Sequence, residues 1–167
     1  MEDVLGYQGK SVVVTGAASG MGQAAAQILV DLGAEVTALD IKPTTVPVAR
    51  ALQIDLRDRS SIEEVVDAID GPVDGLFRCA GLPGPPFSEW DTILVNFVGA
   101  RHLAELLVPK MSAGSAISVI SSSAAIGWQD HIKVITTLLE TDGFDAAVEW
   151  LEANEKKWSW SGYAYSK

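Results

Sequence analysis

Thr15-Gly16-Ala17-Ala18-Ser19-Gly20-Met21-Gly22 stands directly after the β-branched run Ser11–Val14 and directly before apolar residues at helical spacing, Met21, Ala24, Ala25, Ile28, Leu29 and Leu32. Glycines in such a strand-to-helix turn let the backbone approach a pyrophosphate, whose charge is favoured by the free N–H groups and dipole of the helix start. Gly16, Ser19, Gly20, Met21 and Gly22 are therefore the expected phosphate cradle, with a tight turn that binds nothing as the plainer alternative. Asp40 follows Gly22 by 18 residues, at the end of the next strand and beside Ile41. A carboxylate there would accept hydrogen bonds from an adenosine ribose diol and repel a 2′-phosphate. The loop holds no Arg or Lys and Lys42 is the only cation near Asp40, so NAD or NADH is expected ahead of NADP. A solvated strand-end aspartate is the alternative. At the other end of the chain, Tyr163 and Lys167 are four residues apart. On a helix they share one face, and a cation near a phenol favours the phenolate, which makes Tyr163 a candidate general acid and base. By spacing alone an exposed surface pair is the commoner outcome; the glycine-rich loop upstream argues for chemistry.

The elements that must carry these residues follow from periodicity. Ser11–Ala17, Ala34–Asp40, Ala51–Leu56, Val73–Ala80 and Ala116–Ser121 are expected strands, the first without alternation, as in a parallel sheet covered on both faces. Gly33 stands at a helix C-terminus, and Ser61 with Glu64 resembles a capping box that opens a helix carrying Ile62, Val65, Val66 and Ile69. Gly81–Pro86 is loop, and one long helix is expected over about Trp90–Val108. Five strands alternating with helices imply an α/β, doubly wound parallel sheet of the Rossmann type. After Ser123, the stripe Ile132, Ile135, Leu138 and Leu139, a break at Asp142-Gly143 and the stripe Phe144, Ala147, Val148 and Leu151 predict a helical hairpin. The organisation expected is a single dinucleotide-binding domain over 1–167 with a helical insertion at about 128–160.

The 167 residues are one domain's worth, and 48% hydrophobic content is enough for a core. Twelve Lys and Arg against 22 Asp and Glu give a net charge of −10, which argues against nucleic acid and anionic membranes as partners. One Cys and two His make neither an intrachain disulfide nor an ordinary closed zinc site, so a metal-free, cytoplasmic protein is expected. No apolar run is long enough for a membrane span.

The motifs in order resemble the short-chain dehydrogenase/reductase family. Thr15–Gly22 is similar to its TGxxxGxG loop, Asp55-Leu56 to its adenine-contacting pair, Cys79-Ala80-Gly81 to its NAG motif with Cys in place of Asn, and Asn96 to its mid-helix Asn. Ser121-Ser122 resembles the serine pair after the fifth strand, and Tyr163–Lys167 the YxxxK signature. The resemblance implies an NAD(H)-dependent oxidoreductase that interconverts a secondary alcohol and a ketone, with a homo-oligomeric assembly. It further implies that Ser122 donates to the substrate oxygen, that Asn96 holds a proton-relaying water, and that Tyr163 and Lys167 also contact the cofactor. Ser122 is chosen among three consecutive serines by its match to the second of the pair. Cys79 is expected to pack rather than react, and His102 and His131 to be ordinary surface or helix residues.

Forty residues separate Ser122 from Tyr163, where the family usually has a short loop. That insertion and the CAG sequence are similar to a subgroup of bacterial 3α-hydroxysteroid dehydrogenase/carbonyl reductases, so a hydroxysteroid or another bulky carbonyl compound is the expected substrate class. The hairpin could be lid or interface, and Trp150, Trp158 and Trp160 could face a substrate or partner, or simply pack. Since the family continues past YxxxK, these residues are expected to be the N-terminal portion of a longer dehydrogenase. The competing readings are a catalytically silent NAD-binding or interaction protein and, ranked last, a Rossmann-like methyltransferase.

Overall fold

Val12, Val13 and Val14 are fully buried and form β1 (Ser11–Thr15), the middle strand of a five-stranded parallel sheet. The computed structural model describes residues 5–159 and 161–167. β2 (Glu35–Asp40) and β3 (Arg50–Gln53) lie on one side of β1, and β4 (Val73–Arg78) and β5 (Met111–Val119) on the other, in the order β3-β2-β1-β4-β5. This is the expected doubly wound sheet, and a continuous run of β-branched residues suits a strand covered on both faces. Thr15 pairs with Leu39 of β2 and with Arg78 of β4, so the carboxyl ends of the three strands finish level.

The chain divides into two compact units. The first holds the described residues up to Asp55 with Ser60–Ala80 and Leu103–Ile120; the second holds Leu56–Arg59, Gly81–His102 and the described residues from Ser121 onward.

In the first unit, Val12, Val14, Val36 and Ala38 pack with Ala26 and Leu29 of α1 (Gly20–Asp31). α1 stops at Gly33, whose φ of +83° suits glycine. Gly33 N–H donates to the Val30 carbonyl at 2.9 Å and Ala34 N–H to that of Leu29 at 3.0 Å, closing the helix with its last carbonyls satisfied. α2 (Arg59–Ala68) starts two residues before Ser61, so the expected capping box does not form. The Ser61 hydroxyl instead accepts from Asp55 N–H at 3.0 Å, tying the helix to the chain leaving β3. At the other end of α2, Lys110 donates to the Val66 and Ile69 carbonyls at 2.7 and 2.8 Å, a cation at a helix C-terminus. β5 begins at Met111, earlier than expected, because the strand pairs on both sides of a bulge: Met111 opposite Val73, then Ala116 opposite Gly75. It ends at Val119, so Ser121 and Ser122 lie beyond it and strand alternation does not orient them.

The expected long helix is not uniform. α3 (Glu89–Ile93), capped by the Ser88 hydroxyl accepting from Asp91 N–H at 2.9 Å, widens into a π-helical segment from Leu94 to Gly99 before α4 (Ala100–Leu107). Asn96 lies inside this segment, and a Cβ at Gly99 would collide with the Leu56 carbonyl. Widened turns of this kind occur often at functional sites.

The hairpin forms as expected, with α5 (Ile132–Leu139) and α6 (Gly143–Ala153), and is followed by α7 (Glu155–Trp158) and α8 (Gly162–Tyr165). Phe144, Ala147 and Leu151 are buried, whereas the first stripe buries only Leu138 and leaves Ile132 and Leu139 exposed. Arg101 clamps the end of α5, donating to the Thr141 carbonyl at 2.6 Å and its hydroxyl at 3.2 Å. α6 packs against the π-helical segment, and the His102 ring meets Phe144 edge-on at 5.6 Å. Trp158 is only 1% exposed, lies 5.9 Å from Trp90 and donates Nε1–H to the Leu151 carbonyl at 2.8 Å. It is thus a packing residue, and it packs on α3, which leads into the segment carrying Asn96. Trp150 is half-buried, and Trp160 lies outside the described residues. Among the described residues no helix is long and apolar enough to cross a membrane.

Candidate active site

The glycine-rich loop shows two different reasons for glycine. At Gly16 (φ +71°) a Cβ would lie 2.8 Å from Ala80 Cα, and at Gly22 it would collide with the Gly16 carbonyl. Gly16 excludes a side chain so that the Cys79-Ala80 backbone can pass, and Gly22 so that the start of α1 can close on the turn. Gly20 (φ +56°) has nothing within 4 Å of a Cβ position, so there the glycine is required by conformation and the approach from outside is open. Ser19, Gly20 and Met21 are exposed. The buried Thr15 hydroxyl accepts from Ala80 N–H at 3.0 Å, bringing Cys79-Ala80 against Thr15-Gly16. Burial pushes the half-buried Cys79 thiol above its ordinary value, away from the reactive thiolate.

Asp40 closes the same loop. One carboxylate oxygen accepts from Ala18 N–H and the other from Lys42 N–H, both at 2.9 Å. A carboxylate offers roughly four acceptor positions, so capacity for a ribose diol remains. Asp40, Lys42, Pro43, Thr44, Ala51 and Leu52 line a cavity of about 380 Å³ at the ends of β2 and β3. The Thr44 hydroxyl donates to the Ala17 carbonyl at 2.8 Å, joining this wall to the loop. Ile41 is exposed immediately after Asp40. Asp55 is half-buried, while Leu56, in the second unit, is buried.

The second unit gathers the proton-transfer candidates. α8 is capped by the Ser161 hydroxyl accepting from Ala164 N–H at 3.1 Å. Its first residue, Gly162, donates N–H to a Glu89 carboxylate oxygen at 2.5 Å, and a Cβ at Gly162 would collide with the Glu89 carbonyl. Lys167 Nζ lies 5.6 Å from the Tyr163 ring centroid although Lys167 stands beyond the end of α8, so the two approach without sharing a helix face. Asn96, 7% exposed, accepts at Oδ1 from Leu82 N–H at 2.7 Å and donates Nδ2–H to the Leu82 carbonyl at 2.9 Å and to Ser166 Oγ at 3.1 Å. A Cβ at Gly81 would lie 3.2 Å from Asn96 Oδ1 and 3.5 Å from Lys167 Nζ, so Gly81, Asn96, Lys167 and Tyr163 converge. Ser122 faces its own turn: its hydroxyl accepts from Ala124 N–H at 3.2 Å and caps the 3₁₀ turn Ser123–Ala125. Ser121 is the serine whose hydroxyl donates to the Lys167 carbonyl, at 3.2 Å. Sequence reasoning missed Glu89 and Ser166; Ser166 was signalled only by its place inside the Tyr163–Lys167 motif.

Residues 10–135 match the short chain dehydrogenase family. The coniferyl-alcohol dehydrogenase of Pseudomonas sp. strain HR199 is 28% identical over 145 residues, which are 87% of this chain and 56% of that protein. The NAD-dependent glycerol dehydrogenase of Listeria innocua is 33% identical over 144 residues, covering 74% of this chain and 57% of the relative. The crystal structure of a 3-alpha-hydroxysteroid dehydrogenase from Pseudomonas sp. B-0831 complexed with NADH superposes with a TM-score of 0.74 at 25% identity, over 95% of this chain and 61% of that one. The chain therefore spans little more than half the length of these relatives. With the family's motifs standing in order on its parallel sheet and helices, this chain belongs to the short-chain dehydrogenase family.

Proposed function

We propose that this protein is an NAD(H)-dependent oxidoreductase that interconverts a secondary alcohol and a ketone. The observation that carries the reading is the convergence of Tyr163, Lys167 and Asn96 around Gly81. The first unit suits the dinucleotide: an open, positive-φ Gly20 at the start of a 12-residue helix, and Asp40 on a cavity of about 380 Å³. Gly16, Ser19, Gly20, Met21 and Gly22 would hold the pyrophosphate, and Asp40, Ile41, Asp55 and Leu56 the adenosine. Cys79 and Ala80 in the first unit, and Gly81, Tyr163 and Lys167 in the second, complete the proposed cofactor set. Bound NAD supplies the hydride acceptor, and NADH the donor. Tyr163 takes the alcohol's proton as the carbinol hydrogen leaves as hydride, and returns a proton to the oxygen in the reverse direction. Lys167 holds its ammonium beside the Tyr163 ring, 5.6 Å from its centroid, and Ser122, whose hydroxyl accepts from Ala124 N–H and keeps its own proton, donates a hydrogen bond to the substrate oxygen.

NAD ahead of NADP is supported by Asp40 and by two relatives whose names carry NAD or NADH. A hydroxysteroid or another bulky alicyclic alcohol is the substrate class favoured by the hairpin and by the hydroxysteroid dehydrogenase neighbour. We further place the protein in the cytoplasm as a homo-oligomer, in keeping with its single Cys and its family. The test is absorbance of NADH formed from a panel of secondary alcohols, run in parallel with NADP. Turnover with NAD on cyclic alcohols, and far less with NADP, is expected; equal or better use of NADP would overturn the cofactor reading, and no turnover of any alcohol or ketone would overturn the activity.

A further inference from the structure

We infer that Ser166 is a positioning residue, through which the Asn96 carboxamide holds the Tyr163–Lys167 turn in place; the inference rests on the oxidoreductase reading of that site. The Ser166 hydroxyl has one proton, and it goes to the Tyr163 carbonyl at 2.8 Å. Its oxygen accepts Asn96 Nδ2–H at 3.1 Å. The chain of bonds is therefore directional: Leu82 N–H to Asn96 Oδ1, Asn96 Nδ2–H to Ser166 Oγ, and Ser166 O–H to the Tyr163 carbonyl. Such chains strengthen one another where water is excluded, and Asn96 is buried.

Two consequences follow for the site. Both Asn96 N–H groups are engaged, one on the Leu82 carbonyl and one on Ser166, so the side chain has no donor left for a relaying water. The donors of this side chain are thus spent on holding the turn. The α8 segment, by contrast, is only four residues long and cannot hold its own shape, since a single helical turn is unfavourable in isolation. The Asn96–Ser166 link ties the carbonyl of Tyr163 to the buried π-helical segment, and the residue after Ser166 is Lys167, whose ammonium lies over the Tyr163 ring.

The experiment compares Ser166→Ala, Ser166→Thr, Asn96→Ala and the double variant in the purified protein. NMR exchange of the Asn96 side-chain NH₂ protons needs no turnover: it should quicken at least severalfold in Ser166→Ala and return toward wild type in Ser166→Thr. Steady-state kinetics with NAD and an alcohol substrate should show kcat reduced tenfold or more in Ser166→Ala, KM for NAD unchanged, the alkaline-to-acid course of the pH–kcat profile displaced, and Ser166→Thr recovering most of the loss. The double variant should be no slower than Asn96→Ala alone, since the two residues act through one link. Unchanged amide exchange, a Ser166→Ala kcat within twofold of wild type, or multiplicative losses in the double variant would overturn the inference. Absence of wild-type turnover with altered exchange in Ser166→Ala would sink the oxidoreductase reading while leaving the link itself supported. Should Asn96→Ala fail to fold, the Ser166→Ala and Ser166→Thr comparison carries the test alone.

Discussion

Asp40 is where nucleotide choice is proposed to turn, and its two backbone partners make it a double-duty residue. Asp40→Ala should narrow the preference for NAD over NADP by roughly 1.5–3 kcal/mol, the range for hydrogen bonds to a charged group, measured by titration with both nucleotides. An unchanged ratio would show that the carboxylate serves only to close the loop through Ala18 and Lys42. Cys79 makes the opposite case. Because burial raises its thiol, alkylation by iodoacetamide at pH 7.5 should be much slower than for a free exposed cysteine. Fast labelling would contradict the packing role. At this scale the positive-φ Gly20 and the approach of Lys167 to Tyr163 were legible because each rests on a short span of sequence. Ser166 was not, since its partner Asn96 is 70 positions away. The facing of the three serines was not legible either, because β5 ends before them and alternation no longer applies.

Helices announced themselves by period, but their inner geometry did not. Six residues cannot distinguish a π-helical from an α-helical repeat, so the widening at Leu94–Gly99 has no signature in the apolar pattern. The start of α2 was misplaced because Ser61 bonds outward to Asp55 rather than to its own helix. Gly99→Ala should cost roughly 1–3 kcal/mol or more by forcing a methyl group against the Leu56 carbonyl, read as a lowered denaturation midpoint. Trp158→Ala should cost roughly 3–5 kcal/mol, since it empties a buried site between Trp90 and Leu151. A loss below about 1 kcal/mol would mean that the hairpin is held mainly elsewhere, the bond between Arg59 and Asp145, the Arg101 clamp and the packing of α6 on the π-helical segment being among its other attachments.

The doubly wound parallel sheet was legible in the alternation of strands and helices, and β1 lies in its middle as a doubly covered valine run should. One charge at its start links fold to pH. Asp74 accepts from Ser11 N–H at 2.9 Å and pairs with Lys10 at 3.1 Å, and these two bonds, the backbone one first, hold its carboxyl below the ordinary value of 3.8. A lowered folded-state value means stability that is present above the ordinary value and lost as pH falls through the folded one. Asp74→Asn should therefore lower Tm at pH 7, with the difference from wild type shrinking below pH of about 4. The central claim, that the protein oxidises and reduces through a Tyr163 proton, is tested most directly by pairing NAD binding with turnover in Tyr163→Phe. Near wild-type NAD affinity with loss of nearly all ketone reduction is expected, because the substitution removes the proton and little else. Turnover within a few-fold of wild type would contradict it.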